Sequence, residues 1–80
     1  MTKDELFNSI KEAIECVLPE VATGDLTCED SLKEIGANSV DRAEILMMLM
    51  EDAGVKIPMV SFGNAKNIGE ILDIVLEALN

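Results

Sequence analysis

The sequence predicts an all-α protein, a small bundle of three to four helices with a long first loop. Three segments carry apolar residues at intervals of three and four positions, the period of a helix with one buried face. The one extended apolar stretch, residues 55–60, is too isolated to form a sheet. Eighty residues give a single domain over residues 1–80 with a modest core, which is aliphatic because aromatic residues are almost absent.

The first helix begins at a capping box and ends at a proline. Thr2 occupies the cap position, and Glu5 follows three residues later. Pro19 ends the helix, because the residue before a proline is pushed away from helical geometry. The predicted apolar face consists of Leu6, Phe7, Ile10, Ala13, Ile14, Val17 and Leu18.

A connection of unusual length, residues 19–38, follows the first helix. Connections longer than about 12–15 residues usually have a function or local order. Residues 30–35 are predicted to form a short helical turn. The acids of this loop lack the alternating register of a calcium site, so we expect them to be solvated.

The second helix follows Gly36 and continues to Gly54, which is well placed as its C-cap. Either Asn38 or Ser39 can cap its first amide groups. Asp41 and Glu44 are expected to place negative charge in the first turn, where the helix dipole favours it.

This helix carries two apolar stripes, whereas a helix of a small domain normally needs only one. A chain of this length has too few elements to cover a helix on all sides, so the second stripe predicts a partner-binding face. Methionine suits such a face because its flexible thioether adapts to different shapes. The alternative is that the methionines only fill gaps in the core. One stripe comprises Ile45, Leu46, Leu49 and Ala53; the other comprises Val40, Ala43, Met47 and Met50, edged by Glu44 and Glu51.

The last part of the chain predicts a linker and a third long helix. Residues 55–60 are extended, and residues 61–66 include a brief helical turn. Asn67 and Glu70 repeat the pattern of a cap with glutamate three residues later. The apolar face of the third helix comprises Ile68, Ile71, Leu72, Val75, Leu76 and Leu79.

The charge balance excludes several classes of function. A net charge of −10 argues against nucleic acids and anionic membranes, and it favours basic protein partners. No segment has the apolar length of a membrane span, and the first residues do not form a signal peptide, so we expect a cytoplasmic protein. The absence of histidine removes the usual general base and the commonest metal ligand, so we expect neither an enzyme nor a metal site. We expect a monomer.

Ser39 is the candidate functional residue. A serine at a helix start is usually a cap, and without histidine it cannot be the nucleophile of a triad. Its position at the tip of a long loop, beside an apolar stripe, instead suits a hydroxyl that another enzyme modifies. Helix-terminal N–H groups nearby would favour an attached phosphate.

The whole chain resembles an acyl carrier protein. The matching features are residues 30–32 in the first loop, Ser39 and Val40 at the helix start with Glu44 following, and residues 57–58. The resemblance implies a bundle of the acyl-carrier type. It also implies a covalent 4′-phosphopantetheine on Ser39, transferred from coenzyme A by a phosphopantetheinyl transferase. The residues expected to meet partner enzymes are Asn38, Val40, Asp41, Arg42, Ala43, Glu44, Met47, Met50 and Glu51. Most carriers have Asp in place of Asn38.

A narrower resemblance is to the free-standing donor carriers of polyketide β-branching cassettes. It rests on residues 37–45, the pair Met47 and Met48, residues 57–58 and residues 65–70. It implies acetyl transfer to an HMG-CoA-synthase-like enzyme, with a decarboxylating ketosynthase and an acyltransferase as further partners. The alternatives are a fatty-acid, peptidyl or general polyketide carrier, or an acidic helical interaction module that is not a carrier.

Overall fold

The computed structural model describes residues 1–80 and contains helices but no strands. Three α-helices form the bundle: α1, Lys3–Val17; α2, Ser39–Ala53; and α3, Ile68–Leu79. Two short 3₁₀ helices, Thr23–Asp25 and Met59–Phe62, lie in the connections between them. The predicted all-α bundle with a long first loop is therefore confirmed. No helix combines the length and apolar character that crossing a bilayer requires.

The helix ends follow the predicted signals. Thr2 Oγ1 accepts from the Glu5 amide at 3.2 Å, and Glu5 Oε1 accepts from the Thr2 amide at 2.8 Å, completing the capping box. Asn67 Oδ1 accepts from the Glu70 amide at 2.9 Å. Gly54 ends α2 with φ of 72°, a left-handed conformation that glycine adopts without a steric penalty.

The core lies between the three helices, with α1 packed most extensively against α2. Its fully buried side chains are aliphatic, as the composition predicts. Phe62 adds one aromatic ring and attaches the second 3₁₀ helix to this core. The largest fully buried side chains are Leu6, Ile10, Ile14, Ile45, Leu49, Ile68, Leu72 and Val75.

The long first loop differs in part from the prediction. A 3₁₀ helix at Thr23–Asp25 was not predicted. The short turn predicted within residues 30–35 is present as a single hydrogen-bonded turn. In that turn the Ile35 amide donates to the Ser31 carbonyl at 3.2 Å. The brief helical turn predicted within residues 61–66 begins earlier, at Met59, directly after Pro58.

The loop closes against the start of α3 through main-chain atoms. The Ile68 amide donates to the Asp30 carbonyl at 2.9 Å, and the Gly69 amide donates to the Cys28 carbonyl at 2.8 Å. Gly69 is buried, and a Cβ atom there would lie 3.1 Å from Cys28 Cβ. The loop and α3 therefore approach each other as closely as glycine allows.

Candidate functional site

Asn38, not Ser39, caps α2. Asn38 Oδ1 accepts from the Asp41 amide at 2.8 Å, and Asp41 Oδ2 accepts from the Asn38 amide at 3.3 Å. Ser39 is the first residue of the helix; its side chain is exposed and makes no hydrogen bond within the chain. Since the neighbouring residue supplies the cap, the Ser39 hydroxyl is free for other chemistry.

The first turn of α2 contains fewer acidic residues than predicted. Asp41 is its only acidic residue, and its carboxylate takes part in the capping box. Glu44 lies in the second turn, where its exposed carboxylate belongs to the helix surface rather than to the terminus. Asp41 alone therefore supplies the negative charge predicted at the N-terminal end of the α2 dipole.

A groove of about 500 Å³ opens beside Ser39, and we call it the Ser39 groove. The first loop, α2, the second 3₁₀ helix and the start of α3 form its walls. No aspartate or glutamate lines it, although the chain contains sixteen acids. Its lining residues are Ser31, Leu32, Lys33, Ser39, Arg42, Ala43, Leu46, Met59, Phe62, Gly63, Ala65, Lys66, Asn67 and Ile71.

Three of the six basic residues of the chain, Lys33, Arg42 and Lys66, line the Ser39 groove. None of them forms a salt bridge; the one salt bridge of the chain joins Lys3 to Asp73 at 2.9 Å. Arg42 Nη1 donates to the Ala37 carbonyl at 2.9 Å, which ties α2 to the loop just before the cap. Sequence reasoning singled out Arg42 but missed both lysines, which come from segments distant along the chain.

The two apolar stripes of α2 have different environments, as their spacing predicts. Ile45, Leu46 and Leu49 are buried, whereas Val40 and Met47 are 65% and 58% exposed. A second groove of about 530 Å³ lies between the C-terminal part of this second stripe and residues 55–58, and we call it the Met47 groove. Its lining residues are Met47, Met50, Glu51, Val55, Lys56, Ile57 and Pro58.

The methionines of α2 divide between core and surface. Met50 is half-buried, and its Sδ accepts a hydrogen bond from the Ile57 amide at 3.3 Å. Met48 packs towards α1 in a small groove that Ala13 and Cys16 also line, on the far side of the helix from Ser39. Core filling therefore accounts for Met48 but not for Met47.

The predicted partner-facing residues fall into separate environments. Arg42 and Ala43 are half-buried and line the Ser39 groove. Met47, Met50 and Glu51 line the Met47 groove. The Ser39 hydroxyl therefore lies at one end of an apolar surface with acidic edges.

Comparison with known proteins identifies the family. The sequence profile described as the phosphopantetheine attachment site matches residues 8–75. The chain belongs to this family. It is an acyl carrier protein, as the resemblance predicted, and it carries 4′-phosphopantetheine as a covalent prosthetic group.

Two curated relatives share the length of this carrier. The polyketide biosynthesis acyl-carrier-protein AcpK of Bacillus subtilis (strain 168) is 42% identical over 77 residues, which is 96% of this chain and 94% of AcpK. The acyl carrier protein of Treponema denticola is 38% identical over 56 residues, covering 69% of this chain and 70% of that protein.

One solved structure matches the whole fold. It is a chain from the crystal structure of the curacin biosynthetic pathway HMG synthase in complex with acetyl donor-ACP. The two chains superpose with a TM-score of 0.84, are 42% identical, and cover each other completely, at 100% in both directions. This agreement extends the family assignment from sequence to architecture.

The surroundings of Ser39 fit a phosphodiester-linked group. The hydroxyl is exposed and unbonded, the first turn of α2 presents main-chain amides, and three cations without salt-bridge partners line the adjoining groove. A phosphate attached there would meet no carboxylate in that groove. The site can therefore hold a negatively charged group within a strongly acidic protein.

Proposed function

We propose that Ser39 carries the 4′-phosphopantetheine and that the protein donates acetyl groups in polyketide β-branching. The observation that supports this most strongly is the free hydroxyl of Ser39 beside a cation-lined groove. The cofactor supplies a thiol that holds acyl groups as thioesters. The chain itself positions that thiol and presents a surface to partner enzymes.

Ser39 is better suited to modification than the other serines with defined contacts. Ser9 is buried, and its hydroxyl donates to Asp52 Oδ2 at 2.6 Å. Ser31 Oγ accepts from the Glu34 amide at 3.0 Å and so stabilises the loop turn. Ser61 is exposed, but it lies in the second 3₁₀ helix rather than at the start of a long one. Only Ser39 combines an unbonded hydroxyl with the amides of an α-helix start.

The β-branching role is supported by the two relatives that are 42% identical to the chain. One is named for polyketide biosynthesis, and the other is described as an acetyl donor-ACP bound to an HMG synthase. We infer that an HMG-CoA-synthase-like enzyme is the acetyl acceptor. A decarboxylating ketosynthase, an acyltransferase and a phosphopantetheinyl transferase would load the protein.

We infer that partner enzymes recognise the exposed side of α2. Val40 and Met47 offer apolar contact, and Glu44 and Glu51 place acids around it. An apolar centre with a charged edge is the usual anatomy of a specific interface. Asn38, Asp41, Arg42, Ala43 and Met50 complete the proposed recognition surface.

We propose that catalysis belongs to the partners and that the carrier is not an enzyme. The chain contains no histidine to activate a nucleophile. The cytoplasmic location, the monomeric state and the single domain over residues 1–80 stay predictions.

Intact-mass analysis tests the attachment. Incubation with coenzyme A and a phosphopantetheinyl transferase is expected to add one phosphopantetheine to the protein. Ser39→Ala should abolish the gain, and Ser61→Ala, a matched exposed serine, should retain it. A protein that stays unmodified, or a gain that survives Ser39→Ala, would contradict the proposed site.

The β-branching role needs a separate measurement. Acetyl-loaded protein is expected to transfer its acetyl group to the HMG-CoA-synthase-like enzyme and to fail with a generic elongating ketosynthase. The reverse preference would assign the protein to ordinary chain elongation.

A further inference from the structure

We propose that Met50 is a positioning residue for partner recognition. Its thioether sulfur holds the segment that follows α2, and this segment forms the second wall of the Met47 groove. This role rests on the recognition surface proposed above, with the HMG-CoA-synthase-like enzyme as the partner. Within that surface Met50 acts by shaping the groove that the enzyme meets, rather than by contacting the enzyme itself.

The two walls of the Met47 groove differ in how they are fixed. Met47, Met50 and Glu51 belong to α2, and residues 55–58 form the opposite wall. The helix wall is fixed by its own main-chain hydrogen bonds, whereas residues 55–58 have no regular secondary structure. The shape of the groove therefore depends on what holds these four residues against the helix.

Met50 supplies the hydrogen-bond acceptors that hold this segment. The Val55 amide donates to the Met50 carbonyl at 3.1 Å, within the turn that Gly54 makes at the end of α2. The next hydrogen bond along the chain runs from the Ile57 amide to Met50 Sδ, at 3.3 Å. It is the only hydrogen bond formed by the main chain of Lys56 and Ile57. One residue of the helix thus fixes the segment at two points.

Apolar packing alone does not account for the placement of this wall. The side chains of Val55 and Ile57 pack against the core, which keeps the segment close to the helix. Such contact is non-directional, so it does not define the orientation of the peptide groups. The hydrogen bond to Met50 Sδ defines that orientation, and without it the part-buried Ile57 amide would lack an acceptor.

Met50 differs in this respect from the other methionines of α2. Met47 is 58% exposed at the groove surface, and Met48 packs towards α1. Only the sulfur of Met50 accepts a hydrogen bond. Leucine would fill a similar volume but offers no acceptor, so the thioether combines apolar bulk with an acceptor at one position.

Two substitutions at residue 50 distinguish positioning from direct contact. Met50→Leu keeps the apolar volume and removes the acceptor, whereas Met50→Gln keeps an acceptor oxygen on a polar side chain. If Met50 positions the segment, the dissociation constant for the HMG-CoA-synthase-like enzyme should rise about two- to fivefold in Met50→Leu, the effect of one weak hydrogen bond. In Met50→Gln it should stay closer to that of the parent. Direct apolar contact predicts the reverse order, and either that order or equal constants for the two variants would overturn the proposal.

Amide exchange tests the contact in the absence of the partner. In Met50→Leu the Ile57 amide should exchange about two- to fivefold faster than in the parent, because its acceptor is lost. The Val55 amide is an internal reference, since its acceptor is the main-chain carbonyl of residue 50 and is kept. Unchanged exchange at Ile57 would refute the role of the sulfur.

Met48→Leu supplies the matched control. It makes the same substitution on the side of α2 that faces α1, so it should change neither the dissociation constant nor the exchange of the Ile57 amide. A parent protein that does not bind the enzyme would refute the proposed function together with this role. Parental binding with equal constants for the two Met50 variants would refute the positioning role alone.

Discussion

Ser9 Oγ donates to Asp52 Oδ2 at 2.6 Å, joining two residues that lie 43 positions apart. Ser9 is buried in α1, and Asp52 lies in the last turn of α2. The contact therefore ties the end of α2 opposite Ser39 to α1.

Ser9→Ala is expected to lower the free energy of unfolding by about 1 kcal/mol, because one hydrogen bond is lost while exposed Asp52 regains water. Chemical denaturation measures the change. Ser61→Ala, at an exposed position without a comparable contact, should leave stability within about 0.5 kcal/mol of the parent. Equal stability of the two variants would show that the contact contributes nothing.

Gly69→Ala is expected to destabilise the fold by about 1–3 kcal/mol, the usual penalty for overpacking. The new Cβ would lie 3.1 Å from Cys28 Cβ and 3.2 Å from the Cys28 carbonyl oxygen, so the loop would have to move. Thermal unfolding of Gly24→Ala supplies the control, since a Cβ at Gly24 meets nothing within 4 Å. A Gly69→Ala protein as stable as this control would disprove the close approach.

Asn38→Ala should cost about 1 kcal/mol of stability, because the Asp41 amide loses its acceptor. Asn38→Asp keeps an acceptor oxygen and should retain the stability of the parent. The aspartate variant is also expected to be loaded faster by a basic phosphopantetheinyl transferase, since it restores a charge beside Ser39. Denaturation and loading rates measured on the same samples separate the two effects. Equal loss of stability in Asn38→Ala and Asn38→Asp would contradict the role of the Asn38 side chain as the N-cap of α2.

Lowering the pH should destabilise the first turn of α1. The backbone N–H of Thr2, aided by the Thr2 side chain, holds the pKa of Glu5 below its ordinary value of 4.5. This contribution to stability is therefore present above pH 4.5 and is lost as the pH falls through the lowered pKa of the folded protein. Amide exchange in the first turn of α1 should accelerate over that range. Glu5→Gln should remove this acceleration. If amide exchange in Glu5→Gln accelerates as it does in the parent protein, a group other than Glu5 causes the effect.

Charge reversal at the acidic edges of α2 tests the proposed recognition surface. Glu44→Lys and Glu51→Lys are each expected to weaken binding to the HMG-CoA-synthase-like partner severalfold, through loss of complementary charge. Circular dichroism should show unchanged helix content, because both side chains are exposed. Glu20→Lys makes the same charge change in the loop after α1, and affinity reduced equally by all three would indicate a general charge effect instead.

The helix boundaries could be predicted from sequence because their causes are local. Thr2, Asn67 and Gly54 act on amides and carbonyls within a few residues, so the local pattern defines each end. Asn38 and Ser39 were equivalent candidates for the cap of α2, and only the hydrogen bond to Asp41 distinguishes them.

The parts that escaped prediction depend on tertiary packing. Lys33 and Lys66 are 33 positions apart, and only the closure of the first loop against α3 places both beside Ser39. No local pattern of charge marks either residue as part of a site. Similarly, the 3₁₀ helix at Thr23–Asp25 has no helix-length apolar period to predict it.

The closure between the first loop and α3 is made by peptide groups, not by side-chain functional groups. Asp30 and Cys28 contribute only carbonyl oxygens to it, so substitution at either position leaves those acceptors in place. Position 69, in contrast, favours glycine because a Cβ atom there would lie only 3.1 Å from Cys28 Cβ. A side-chain substitution at Cys28 or Asp30 therefore keeps the main-chain closure that brings Lys33 and Lys66 together.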